Sequence, residues 1–129
     1  MITNQQVFNK AYAHASQMKN LSQDNGHCKY RSTYRSTNGE SCLIGGFIPD
    51  ERYEPAMEGL CVNALAITYP ELMIDINLLE RGNNYSKPNV ERVFFLSDLQ
   101  LRHDFALSLE DMFHKLEDFR IKYNLNKPE

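Results

Sequence analysis

Apolar positions recur at helical spacing through most of this chain, and the polar residues between those stretches carry helix start and stop signals. Thr3 and Gln6 form a capping box with Ile2 and Val7 at the staple positions, which predicts a helix from Asn4 that frays near Asn20. Val7, Phe8, Ala11, Ala15 and Met18 form its buried stripe, with His14 at the edge. Pro49-Asp50-Glu51 opens a short helix that Pro55 interrupts or restarts and Gly59 ends. Leu60 to Ile67 is apolar enough to be buried in any conformation, with Cys61 as a small core residue. Pro70 at a first helical position and Gly82 past the end outline a further helix with Arg81 in its last turn.

After the loop RGNNYSKP, a helix from about Pro88 to Ala106 carries Val90, Val93, Phe94, Leu96, Leu99 and Phe105. Gln100, His103 and Asp104 lie three or four residues from Leu96, Leu99 or one another, so Gln100 and His103 project from one side, near the packed face. Ser108 caps a last helix with Asp111 at the box position and Leu107 and Met112 as its staple. Leu109, Met112, Phe113, Leu116, Phe119 and Tyr123 give that helix a clean apolar stripe, while His114 falls on its solvated side.

One stretch does not follow the helical pattern: CKYRSTYRSTNGESCLIGGFIPDERYEPAMEG, from Cys28 to Gly59. Asn38-Gly39 between two short runs predicts a β-hairpin over Lys29 to Phe47. Pairing Thr37 with Glu40 sets Arg35 opposite Cys42 and Thr33 opposite Ile44. In that register Cys28 lies over about 20 Å from Cys42 along the ladder, which forbids a disulfide or shared metal between them. The tandem YRST preserves the strand alternation, so Tyr30, Ser32, Tyr34 and Ser36 share one face and Lys29, Arg31, Thr33 and Arg35 the other. The cationic face reads either as a solvated edge that discourages aggregation or as a phosphate contact. The predicted fold class is therefore α+β: one mostly helical domain over residues 1–129, with four to five helices and one β-hairpin packed against the helix that carries His103.

With 129 residues and 42% hydrophobic content, the chain can bury a core without staples. No apolar run approaches the ~20 residues that span a bilayer, and no signal peptide opens the chain, so no membrane partner and a cytoplasmic location are expected. Three widely spaced cysteines fit reduced thiols. The net charge of −3 argues against nonspecific nucleic-acid binding, which depends on many cationic contacts. Basic residues nonetheless predominate up to Phe47, leaving room for a local anion site.

The ordered pattern C-x-Y-R, G-x-x-C-x-I-G, I-P-D-x-x-Y, E-G and L-Q-x-x-H-D runs from Cys28 to Asp104. It resembles a family of small uncharacterised proteins encoded by bacteriophages, prophages and some bacteria. The resemblance implies a viral or mobile-element origin, hence the cytoplasm of a host cell, and brings no reaction with it. The second YRST separates Cys28 from Cys42 more widely than the family pattern does.

Three functions fit these residues. A small phage-derived intracellular interaction protein would bind and modulate a host component, a defence system among the candidates, using Tyr30, Arg31, Tyr34, Arg35 and Glu58 as binding residues. A thiol-dependent enzyme of hydrolase or transferase type would use Cys42 as nucleophile, made acidic by Arg35, and His103 as base, with Asp104 and Gln100 orienting the ring or donating to an oxyanion. A third protein would capture a small phosphorylated, anionic ligand with Lys29, Arg31 and Arg35. No P-loop, dinucleotide fingerprint or H-E-x-x-H occurs, and no close cysteine pair supports zinc on Cys28, Cys42, His103 and Asp104, so no metal and no cofactor are expected. Glu58 is a candidate partner for a hairpin arginine such as Arg31. The interaction reading is the favoured one, and the oligomeric state is open.

Overall fold

The computed structural model describes residues 1–22, 34–36, 39–82 and 86–128. Within them the chain forms α1 (Asn4–Gln17), α2 (Val62–Thr68), α3 (Pro70–Asp75), α4 (Lys87–Asp104) and α5 (Leu109–Lys122), with 3-10 turns at Gly45–Phe47, Asp50–Arg52 and Pro55–Met57. The local cap chemistry acts as the sequence predicts. Thr3 and Gln6 close a reciprocal capping box on α1, and Ser108 accepts from the Asp111 amide at the start of α5.

One hydrophobic core joins all five helices. Its aromatic centre lies where α1, α4 and α5 meet: Phe119 stacks on Phe8 at 5.9 Å and lies 5.0 Å from Phe95, while Tyr123 packs edge-on against Phe95. Phe8, Phe95 and Phe119 are all fully buried, each stabilising the fold by roughly 1.5–3 kcal/mol.

The fold is helical, which corrects the α+β expectation: among the described residues there is no strand and no hairpin. Of the first predicted strand, residues 29–33 and Thr37 lie outside the described residues, as does Asn38 of the turn. The chain does reverse near Gly39, where the Ser36 amide donates to the Glu40 carbonyl at 3.0 Å, one residue out of the expected Thr37–Glu40 register. Among the described residues no ladder continues beyond Glu40, and the groups that would build it are engaged elsewhere. The Ile44 amide goes to Gln100, the Gly45 amide to Cys42 Sγ, and the Gly45 and Ile48 carbonyls to Arg35. Gly45 fits under the Tyr34 backbone, where a Cβ would stand 2.5 Å from the Tyr34 carbonyl oxygen.

Three further expectations change. The helix from Pro70 stops at Asp75 rather than near Arg81, because Asn77 takes a left-handed conformation (φ 64°) and the Leu78 and Leu79 amides both turn back onto the Met73 carbonyl. Cys61 is exposed at the N-cap of α2, not a core residue, and Ile67 is 62% exposed. The apolar residues of α4 do not form one stripe. Leu96 and Leu99 are buried, whereas Phe94 is 71% exposed and Val90 and Phe105 also face outward.

Candidate functional site

The inward face of α4 is apolar in the middle and polar at both ends. Asn89, Arg92, Leu96, Leu99 and His103 follow one another at three- and four-residue steps and are all buried, with Gln100 beside them. Each polar member binds backbone from a distant segment.

At the C-terminal end the network can be assigned atom by atom. The Ser22 amide donates to His103 Nε2 at 2.9 Å, so that nitrogen carries no proton. The proton is then on Nδ1, which donates to Asp104 Oδ1 at 3.1 Å, and the ring is the neutral Nδ1–H tautomer on this network. Gln100 Oε1 accepts from the Ile44 amide at 2.9 Å, which turns its NH2 toward Asp104 Oδ1 at 2.6 Å. Cys42 is buried beside this cluster. Burial pushes its thiol up to about 12, and the Asp104 charge adds to the effect; hydrogen bonds from the Gly45 amide and Gln100 offset only part of it.

That chemistry differs from the one the sequence suggested. Cys42, Gln100, His103 and Asp104 do converge, but Cys42, Gln100 and His103 are buried, only Asp104 is partly exposed, and both ring nitrogens of His103 are engaged away from the thiol. Arg35, expected to favour a thiolate, points elsewhere. Its guanidinium bonds the carbonyls of Tyr34, Gly45 and Ile48 and the Ser41 hydroxyl, pairs with Asp50 at 3.2 Å and lies over the Tyr53 ring. Glu58 accepts from the amides of Tyr34 and Arg35 and from the Tyr53 hydroxyl, while its expected partner Arg31 lies outside the described residues. Tyr34 is buried, with its hydroxyl on the Leu60 carbonyl at 2.7 Å. Tyr34, Arg35 and Glu58 therefore build the fold from within, whereas Cys28, Lys29, Tyr30 and Arg31 lie outside the described residues.

His14 is also a structural donor, bonding the Ser41 carbonyl at 2.8 Å while its ring packs against Gly46. Two residues that sequence reasoning passed over anchor the other end of α4. The Asn89 side-chain amide exchanges two 2.9 Å hydrogen bonds with the Glu80 backbone. Arg92 is buried, with its guanidinium on Asn4 Oδ1, the Leu78 carbonyl and the Ile2 carbonyl. Continuing the Leu96–Leu99–His103 spacing back toward the N-terminus would have found both.

An open groove of about 290 Å³ lies apart from this cluster, lined by Arg52, Glu54, Met57, Tyr69, Glu71 and Leu72 among others. Arg52 is paired with Asp75, and two carboxylates face the groove, so it is poorly suited to an anionic ligand. Among the described residues no group of three or more His, Cys, Asp or Glu side chains is arranged to hold a metal ion, and no helix is long and apolar enough to cross a membrane. No family model, curated protein or solved structure matches the chain.

Proposed function

We propose that this protein acts by binding a partner and not by turning over a substrate. One observation carries the reading: the outward face of α4 is apolar, with Phe94 71% exposed and Val90, Leu101 and Phe105 open along the same side. The polar groups that chemistry would need are meanwhile consumed in holding backbone. Exposed aromatic area at this density is what interfaces use. Tyr34, Arg35 and Glu58 are engaged within the fold, so among the described residues this reading puts the interface on α4. A host component, such as part of a defence system, is the class of target that the resemblance to phage-encoded proteins would imply.

The thiol-enzyme alternative requires Cys42 to be reached and ionised. Incubating the full chain with host extract and measuring its intact mass separates the two. The binding reading expects an unmodified chain and a retained partner that Phe94→Glu releases and Cys42→Ala does not. A covalent adduct mapped to Cys42 would overturn it.

A further inference from the structure

The outward stripe of α4 has an internal symmetry. Phe94 and Leu101 stand equally far from the midpoint between Ser97 and Asp98, and Val90 and Phe105 stand equally far beyond them. At about 100° per residue all four fall within roughly 60° of one another, on the side opposite Leu96, Leu99 and His103. We infer that this face is covered by the same face of a second copy of this chain, the two α4 helices running antiparallel about a two-fold axis that passes between Ser97 and Asp98. This rests on the binding reading and names the occupant of its surface.

In that arrangement Phe94 of one copy meets Leu101 of the other and Val90 meets Phe105, so every large side chain has an apolar counterpart and every contact occurs twice, as an isologous interface requires. Ser97 is the small residue at the crossing point, where the helices must approach closely. The nearest charge does not oppose that approach. Asp98 already accepts from Arg102, Lys122 at 2.7 Å and the Tyr123 hydroxyl at 2.8 Å within its own chain.

The area suits a dimer that dissociates on dilution. With aromatic side chains presenting ~150–250 Å² each when open, the four residues and Leu107, itself 74% exposed, offer on the order of 500 Å² per copy. Two such faces total about 1,000 Å², the lower edge of specific interfaces.

Sedimentation of the full chain from about 1 to about 500 µM, the span over which so small an interface dissociates, tests the inference. The expected result is a shift toward twice the 15.0 kDa chain mass. Phe94→Glu and, separately, Leu101→Asp abolish it with unchanged far-UV circular dichroism, while Ile121→Glu, at a 63% exposed position on α5, does not. Ser97→Cys forms an intermolecular disulfide with itself on mild oxidation, reporting the register. A wild-type chain that stays at monomer mass throughout, or an association that Phe94→Glu leaves intact, overturns the inference. If the chain is monomeric yet Phe94→Glu releases a host protein, self-association is wrong and the binding reading stands; if Phe94→Glu changes neither, both fail.

Discussion

Cys42 shows how a residue that looks chemical in the sequence becomes structural in the fold. Its folded pKa is raised above the unfolded thiol value of about 8.5, so the neutral form is favoured on folding. That contribution is whole below the unfolded value and is lost as pH rises toward about 12. Native protein treated with iodoacetamide near neutral pH is expected to label Cys61 and to leave Cys42 unmodified, as peptide mass mapping would show; rapid labelling of Cys42 would place the thiol at the surface. Asp98 has the opposite sign. Burial alone would raise its pKa, but hydrogen bonds from Lys122 and Tyr123 and the Arg102 charge outweigh that and hold it below the ordinary carboxylate range. Its stabilisation is present above the unfolded value of about 4 and lost as pH falls through the folded one. Asp98→Asn should therefore lower the urea midpoint at pH 7 and flatten the acid limb of the stability profile.

At the scale of elements, α4 is a helix with a buried face anchored by polar groups at both ends and an exposed apolar face opposite it. Gln100→Leu leaves the buried Ile44 amide without an acceptor and is expected to cost about 1–3 kcal/mol in denaturant unfolding. Arg92→Met strands the carbonyls of Ile2 and Leu78 at the opposite end and should cost at least as much. Gly45→Ala must push its methyl against the Tyr34 backbone, and a loss of about 1–3 kcal/mol or more is expected there too. The helix starts were legible because a cap is settled within four residues: Thr3 with Gln6, and Ser108 with Asp111. The hairpin was misread for the converse reason. Asn38-Gly39 signals a turn locally, but whether strands follow depends on who takes the amides, and the Ile44 amide is claimed by a side chain 56 residues away. The early end of α3 was available in the sequence, since Asn77 is a residue type that tolerates the left-handed stop.

For the molecule as a whole, the polar constellation around His103 was legible as a gathering of residues and illegible as to purpose. The spacing of Gln100, His103 and Asp104 says that they share a helix face; only the position of the Ser22 and Ile44 amides says that they face backbone. The outward stripe was hidden in the same helix, because Val90, Phe94 and Phe105 interleave with Leu96 and Leu99 and all five look like core until the polar Asn89, Arg92 and His103 are allowed to set the inner face. With α4 holding the Ser22 and Ile44 amides on one side and presenting the proposed contact surface on the other, both sets of residues are accounted for. The most direct test is amide hydrogen exchange at Ile44 and Ser22 in the native chain. If Gln100 and His103 serve as struts, both amides exchange only through global unfolding, and Gln100→Leu accelerates Ile44. Exchange of either amide at the rate of a free peptide in the wild-type chain would contradict that role.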